Sequence, residues 1–235
     1  MQRQARQTRR RARDREKSRK DEFLDAARGL FFEEGYRGTT IQQVTTRAGY
    51  SKRTVYLDYL NKDELFITVC VEGGELLLKR LTAVPADELS VGDSLEQIMN
   101  AYLAFSRDHS EYFRMMFGES TPEMIANCPE ELRRRVTSLE RACMGVVAAW
   151  AERAIREGSI RRVDPWEVAG IAIGSATGII LLSMGGVQTV FSKQALDSLV
   201  EKAVQILWDG LRVEDRAAAT DPRKKESRDG REPAA

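Results

Sequence analysis

Apolar positions recur at helical spacing along most of the chain, and no segment alternates convincingly with period two. Phe23, Leu24, Ala26, Ala27, Leu30 and Phe31 mark a first helix over residues 18–34. Ser18 with Asp21 three residues on opens it as a variant capping box, and Gly35 closes it. Thr40 with Gln43 opens a short second helix through Val44 and Ala48, which Gly49 ends. Ser51 caps a third, containing Val55 and Tyr56. Asn61 with Glu64 opens a fourth, striped by Leu65, Val69, Leu76 and Leu77. Later helix starts are expected at Thr121-Pro122, Asp164-Pro165 and Ser192, two of them with proline at the first helical position. The predicted fold class is all-α.

The ends of the chain carry no such stripe. Residues 1–17 are basic and low in complexity, and are expected to form a disordered arm. Residues 213–235 are polar, broken by Asp221-Pro222 and Asp229-Gly230, and are expected to form a disordered tail. Between them the pattern divides into an N-terminal three-helix unit with its connecting helix (18–78) and a helical bundle (79–212).

Net charge is +1, but its distribution is uneven: residues 1–67 hold 16 Lys and Arg against 10 Asp and Glu. A basic N-terminal third on an acidic body suits contact with a polyanion. The Arg-rich start lacks the apolar core of a signal peptide. Cys70, Cys128 and Cys143 form no CxxC pair, which suits a reduced, cytoplasmic protein. An enzyme is disfavoured: there is one histidine (His109), no Gly-rich phosphate loop and no cluster at metal-ligand spacing, so no catalytic residue, metal or cofactor is expected.

The segment Thr40 to Tyr59 reads as short helix, Gly-containing turn, short helix, a helix-turn-helix over about residues 41–60 braced by the first helix. Thr40 caps a helix whose N–H groups can face a phosphate. Ser51, Lys52, Arg53 and Thr54 begin the recognition helix. Arg reads guanine through O6 and N7, and Thr touches the thymine methyl.

Asp25-Ala26-Ala27, Leu30-Phe31, Glu34-Gly35-Tyr36, Thr39-Thr40, Ala48 through Tyr56 and Asn61 through Leu65 together resemble the TetR family of bacterial transcription regulators, over about residues 18–66 without a gap. The resemblance implies DNA contact by Thr40, Tyr50, Ser51, Lys52, Arg53, Thr54, Tyr56 and Lys62, the last two on phosphate. Val55 and Leu57 are expected to pack inward. Asp58 departs from the family's usual aromatic or histidine. A carboxylate facing phosphate would repel it, so Asp58 is left out of the contacts and either points elsewhere or lowers affinity.

In this family the larger domain encloses an apolar pocket for a small-molecule effector. Met99, Tyr102, Phe113, Met116, Phe117 and Met124 are the candidate lining, although such a stripe is also what a helix core looks like. Val168 to Phe191 is a run of 24 residues without a charge, long enough to span a bilayer. Gly170, Gly174 and Gly178 give it a small-residue ridge, and Gly185-Gly186 is expected to stop it. The resemblance implies instead that the last two long helices pair with their copies in a dimer, through Gly170, Gly174, Gly178, Leu196, Leu199, Val200 and Val204. Gly73-Gly74 within the fourth helix suggests a bend used in signalling, or a harmless kink or break.

The expectation is therefore a cytoplasmic homodimeric regulator, usually a repressor, that binds a pseudo-palindrome in double-stranded DNA and answers to a small molecule. The alternatives are a helical interaction module and a membrane-associated helical protein.

Overall fold

The structure is a computed structural model. It describes the backbone of residues 2–184 and 193–213, and side chains from residue 17 to 184 and 198 to 213. The expected tail (213–235) beyond Val213, the Gly185-Gly186 stop, the Ser192 cap and the Leu196 side chain lie outside the described residues. Among the described residues there is no strand ladder, only a single bridge between Ile160 and Arg212.

The chain runs through α1 (Gln2–Gly38), α2 (Ile41–Ala48), α3 (Lys52–Val55), α4 (Lys62–Thr82), α5 (Val91–Asp108), α6 (Ser110–Phe113), α7 (Pro122–Ala126), α8 (Glu130–Arg156), α9 (Pro165–Met184) and α10 (Lys193–Leu211). A π-helical turn, Arg114–Glu119, continues α6. The N-terminal arm is a correction. Residues 2–17 are helical and continuous with α1. They lack an apolar stripe, but they also lack Gly and Pro and are rich in Arg, Gln and Ala, all good helix formers. Growth from a packed helix also removes the nucleation cost that an isolated arm would face.

Two apolar clusters organise the molecule. The head cluster joins Phe23, Ala27, Leu30 and Phe31 of α1 to Val44, Val55, Tyr59, Leu65, Phe66 and Val69. The body cluster joins Leu77 and Leu81 to α5, α8, α9 and α10. α4 belongs to both: Leu65 to Val71 face the head, Leu77 and Leu81 the body. Met115, Cys128 and Leu132 of the body pack into the head cluster, so the two units share an interlocked seam.

That seam explains Gly73 and Gly74. α4 runs unbroken through both. A Cβ on Gly73 would come 2.7 Å from Tyr112 Cδ1, and one on Gly74 would come 2.5 Å from Leu139 Cδ2. The helix is not broken there; the glycines let α6 and α8 approach α4 closely. α1 breaks helical geometry at Gly35, whose φ of 69° is left-handed.

α9 is the one helix among the described residues long and apolar enough to cross a membrane. It buries Val168, Ala169, Ala172, Ala176 and Ile180 against the body core and leaves Gly170, Gly174 and Gly178 exposed, with nothing within 4 Å of a built Cβ. Of the α10 residues expected at the dimer face, Val200 is buried in its own subunit and Val204 packs against that same core; Leu199 is half-buried. α10 turns the 200/204/207/211 face inward because that face completes the core over α9 and α5, and Ile206 is left outside.

Candidate nucleic-acid interface and ligand cavity

The helix-turn-helix is built by local caps. Thr40 Oγ1 accepts from the Gln43 N–H at 3.2 Å, and the Thr40 N–H donates to Gln43 Oε1 at 2.7 Å, a reciprocal capping box. Gly49, in the left-handed conformation, closes α2. Ser51 Oγ accepts from the Thr54 N–H at 3.3 Å and starts α3, and the chain keeps turning through Tyr59. Val55 and Tyr59 are buried against α1. The other side of this turn presents Ser51, Lys52, Arg53 and Tyr56 to solvent. Thr54 is half-buried, its hydroxyl 2.8 Å from that of Ser51.

Leu57 corrects the expectation that it packs inward. It is 72% exposed, on the same outer side, because it lies midway between the inward Val55 and Tyr59. That spacing is a signal the sequence carries.

Asp58 also finds its explanation. Its carboxylate, 2% exposed, accepts two bonds from the Arg19 guanidinium, at 2.6 Å from Nε and 2.7 Å from Nη2. This fork turns the negative charge toward α1 and away from the exposed face.

Three expected DNA contacts, Lys62, Tyr50 and Thr40, are engaged within the chain. Lys62 Nζ donates to the carbonyls of Tyr36 (3.0 Å) and Thr39 (3.1 Å) and sits 3.9 Å from the centre of the Tyr36 ring. Burial lowers the pKa of this ammonium, and a third N–H is left for an outside acceptor. Tyr50 donates its hydroxyl to Glu22 at 2.6 Å, with its ring against Phe23. Thr40 spends its hydroxyl on the capping box.

A second site lies in the body. A cavity of about 290 Å³ opens between α4, α5, the Arg114–Glu119 turn, α7, α8 and α9. Tyr102, Met116 and Phe117 line it as expected. Met99, Phe113 and Met124 do not. Met99 and Phe113 are buried core, and Met124 packs against the head cluster. The walls that the sequence reading missed come from α4 (Gly74, Leu77, Leu81) and α8 (Leu139, Glu140, Cys143). Burial pushes the Cys143 thiol up to about 11, which leaves it protonated and unreactive at neutral pH.

Arg114–Glu119 belongs to both sites. Met116 and Phe117 face the cavity. On its other side, Arg114 Nη2 donates to the Phe31 and Phe32 carbonyls at 3.2 and 3.0 Å, closing the end of α1. Glu119 accepts the Tyr36 N–H at 2.7 Å and pairs with Arg114 at 3.1 Å. The φ of 69° at Gly35 favours glycine, and a Cβ there would also press on the Glu119 carboxylate at 3.3 Å.

A capped helix pair with an exposed, basic recognition turn, standing on a cavity-bearing helical body, defines a helix-turn-helix transcription regulator. Residues 23–69 match the model of bacterial regulatory proteins of the tetR family, and residues 95–207 match a tetracyclin repressor-like C-terminal domain. The chain belongs to the TetR family of DNA-binding transcription regulators. Among its relatives, the regulator RutR of Escherichia coli is 26% identical over 151 residues, covering 63% of this chain and 67% of RutR. A transcriptional repressor of Streptomyces coelicolor is 30% identical over 116 residues, 49% of this chain and 57% of that protein. A TetR-family structure from Mesorhizobium loti superposes with a TM-score of 0.63 at 21% identity, covering 85% of this chain and 99% of that one.

Proposed function

We propose that this chain is a cytoplasmic, homodimeric, effector-responsive repressor that binds a pseudo-palindromic operator. The observation that carries the reading is the shared turn: one six-residue segment lines the cavity with Met116 and Phe117 and grips α1 with Arg114 and Glu119. An effector that displaces Met116 or Phe117 pulls on the bonds that set where α1 ends and α2 begins. The two recognition turns of a dimer then lose the spacing that the operator requires, and by linkage DNA and effector weaken each other's binding reciprocally.

Arg53 and Lys52 are the proposed base readers, with Ser51, Thr54 and Leu57 beside them. Leu57 suits a thymine methyl. Tyr56 and the remaining N–H of Lys62 are proposed phosphate contacts, and Tyr50 and Thr40 support the turn more than they touch DNA. The dimer surface is the outer face of α9 and α10: the three-glycine ridge, with Ile171, Leu182 and Ile206 exposed around it. This apolar face argues for subunit pairing over a membrane span, because the opposite side of α9 is already core.

Ultracentrifugation tests the assembly: wild type sediments as a dimer at micromolar concentration, and Ile206→Glu shifts it to monomer and weakens operator binding. A monomeric wild type would contradict the reading. A reporter behind the operator falls when the protein is expressed; a rise would mean activation.

A further inference from the structure

We propose that the cavity takes a small, mostly apolar effector bearing one cationic centre, an organic amine or ammonium, seated against the carboxylate of Glu140. This rests on the reading of the cavity as the effector site. The cavity wall is carbon and sulfur nearly throughout, so most of a ligand must be apolar to gain from entering it. Its polar groups are few and mostly committed. The Tyr102 hydroxyl is 2.6 Å from Thr177 Oγ1, and Thr177 donates to the Ile173 carbonyl at 2.7 Å. The Cys143 thiol leans toward the Gly74 carbonyl.

Among the described residues, Glu140 is the only charged residue lining the cavity, and it makes no hydrogen bond or ion pair with any of them. Its side chain stands exposed at the rim of the cavity. Its own helix offers no partner: the positions three and four residues away are Val136, Thr137, Cys143 and Met144. The nearby cations of α8 are engaged elsewhere, Arg135 with Glu75 at 2.5 Å and Arg141 over the Trp166 ring at 4.7 Å. Partial burial raises the pKa of this carboxyl, with no cation beside it to hold it down.

An unpaired carboxylate at the rim of an apolar cavity favours a cation and repels an anion, since no Lys or Arg lines the cavity to neutralise one. The Phe117 and Tyr102 rings and the Met116 and Met144 thioethers add polarisable surface that suits a cation's neighbourhood. At about 290 Å³ the cavity lies at the small end of ligand sites, which points to a molecule of one or two rings.

Three probes of one skeleton test this: phenylbutylamine, phenylbutanol and phenylbutanoate, titrated calorimetrically into the full chain at neutral pH, with operator affinity measured in parallel. The amine is expected to bind about tenfold tighter than the alcohol, the strength of a partly solvated ion pair, with the acid weakest. Glu140→Gln should erase the amine's advantage, and Glu140→Lys should reverse the order in favour of the acid. An acid that binds as well as the amine, or an advantage that survives Glu140→Gln, overturns the cationic assignment. Alcohol binding that loosens operator DNA with no amine preference overturns that assignment alone and leaves the effector site standing. Binding by all three with operator affinity unchanged overturns the effector reading instead. No binding by any of them overturns this cavity as the ligand site.

Discussion

The head and the body of this protein each close on an apolar cluster, but what fixes their helices beyond that core differs. In the head, short helices are pinned by directional bonds: the Thr40–Gln43 box, the Ser51 cap, the Arg19–Asp58 fork, and Lys62 across two carbonyls. In the body, long helices close on one another through apolar side chains and the bare backbone of Gly73 and Gly74, around a void. Directional bonds give the head one shape, which base reading requires. Dispersion and burial are indifferent to direction, so the body can repack around a guest. The Arg114–Glu119 turn combines the two, polar toward α1 and apolar toward the cavity.

The sharpest way to break this contrast is to remove one directional bond from the head. Arg19→Ala strands the buried Asp58 carboxylate and should cost about 3 kcal/mol, read as a lower urea midpoint. Arg19→Met combined with Asp58→Leu should recover most of it. A silent Arg19→Ala would show that the head does not depend on this fork. The body's counterpart is Gly74→Ala. A hinge glycine replaced by alanine would stabilise the helix by about 1 kcal/mol. A packing glycine should destabilise by about 2 kcal/mol, because the new Cβ must displace Leu139. Thermal melting therefore separates the two accounts by sign.

Arg53→Ala sharpens the division of labour within the head. The side chain is exposed, so stability should not change, while operator affinity falls by roughly 1–3 kcal/mol and selectivity relaxes at one base pair. Thr40→Ala should do the reverse on a smaller scale. It should lose about 1 kcal/mol of stability from the α2 cap, seen by chemical denaturation, with base preference kept.

The same contrast governs what could be read in advance. The caps of α2, α3 and α4 are written in neighbours three or four residues apart, and Thr40, Gly49, Ser51 and Asn61 act where their spacing places them, whereas Ser18 lies inside α1 and starts no helix. Partners distant in sequence are not legible that way. Asp58 meets Arg19 across 39 residues, and Lys62 reaches back to Tyr36 and Thr39. In the body, the stripe on α5 marks Met99 and Tyr102 alike as apolar. Which of them borders the void depends on where α4 and α8 lie, and that is set by Gly73, Gly74 and their distant neighbours. Val200 reads as interface for a related reason: an apolar position on a helix with two apolar neighbours, its own core and its copy, does not say which one it faces.

The central claim is that two copies of this head, fixed in spacing by the body, read DNA sequence. It is tested most directly by selecting bound sequences from a random duplex pool with purified protein at ~150 mM salt, where phosphate attraction is largely screened. The account predicts a pseudo-palindrome whose half-sites lie about one helical turn, or a multiple of it, apart. Folded, soluble protein that enriches no motif would contradict it.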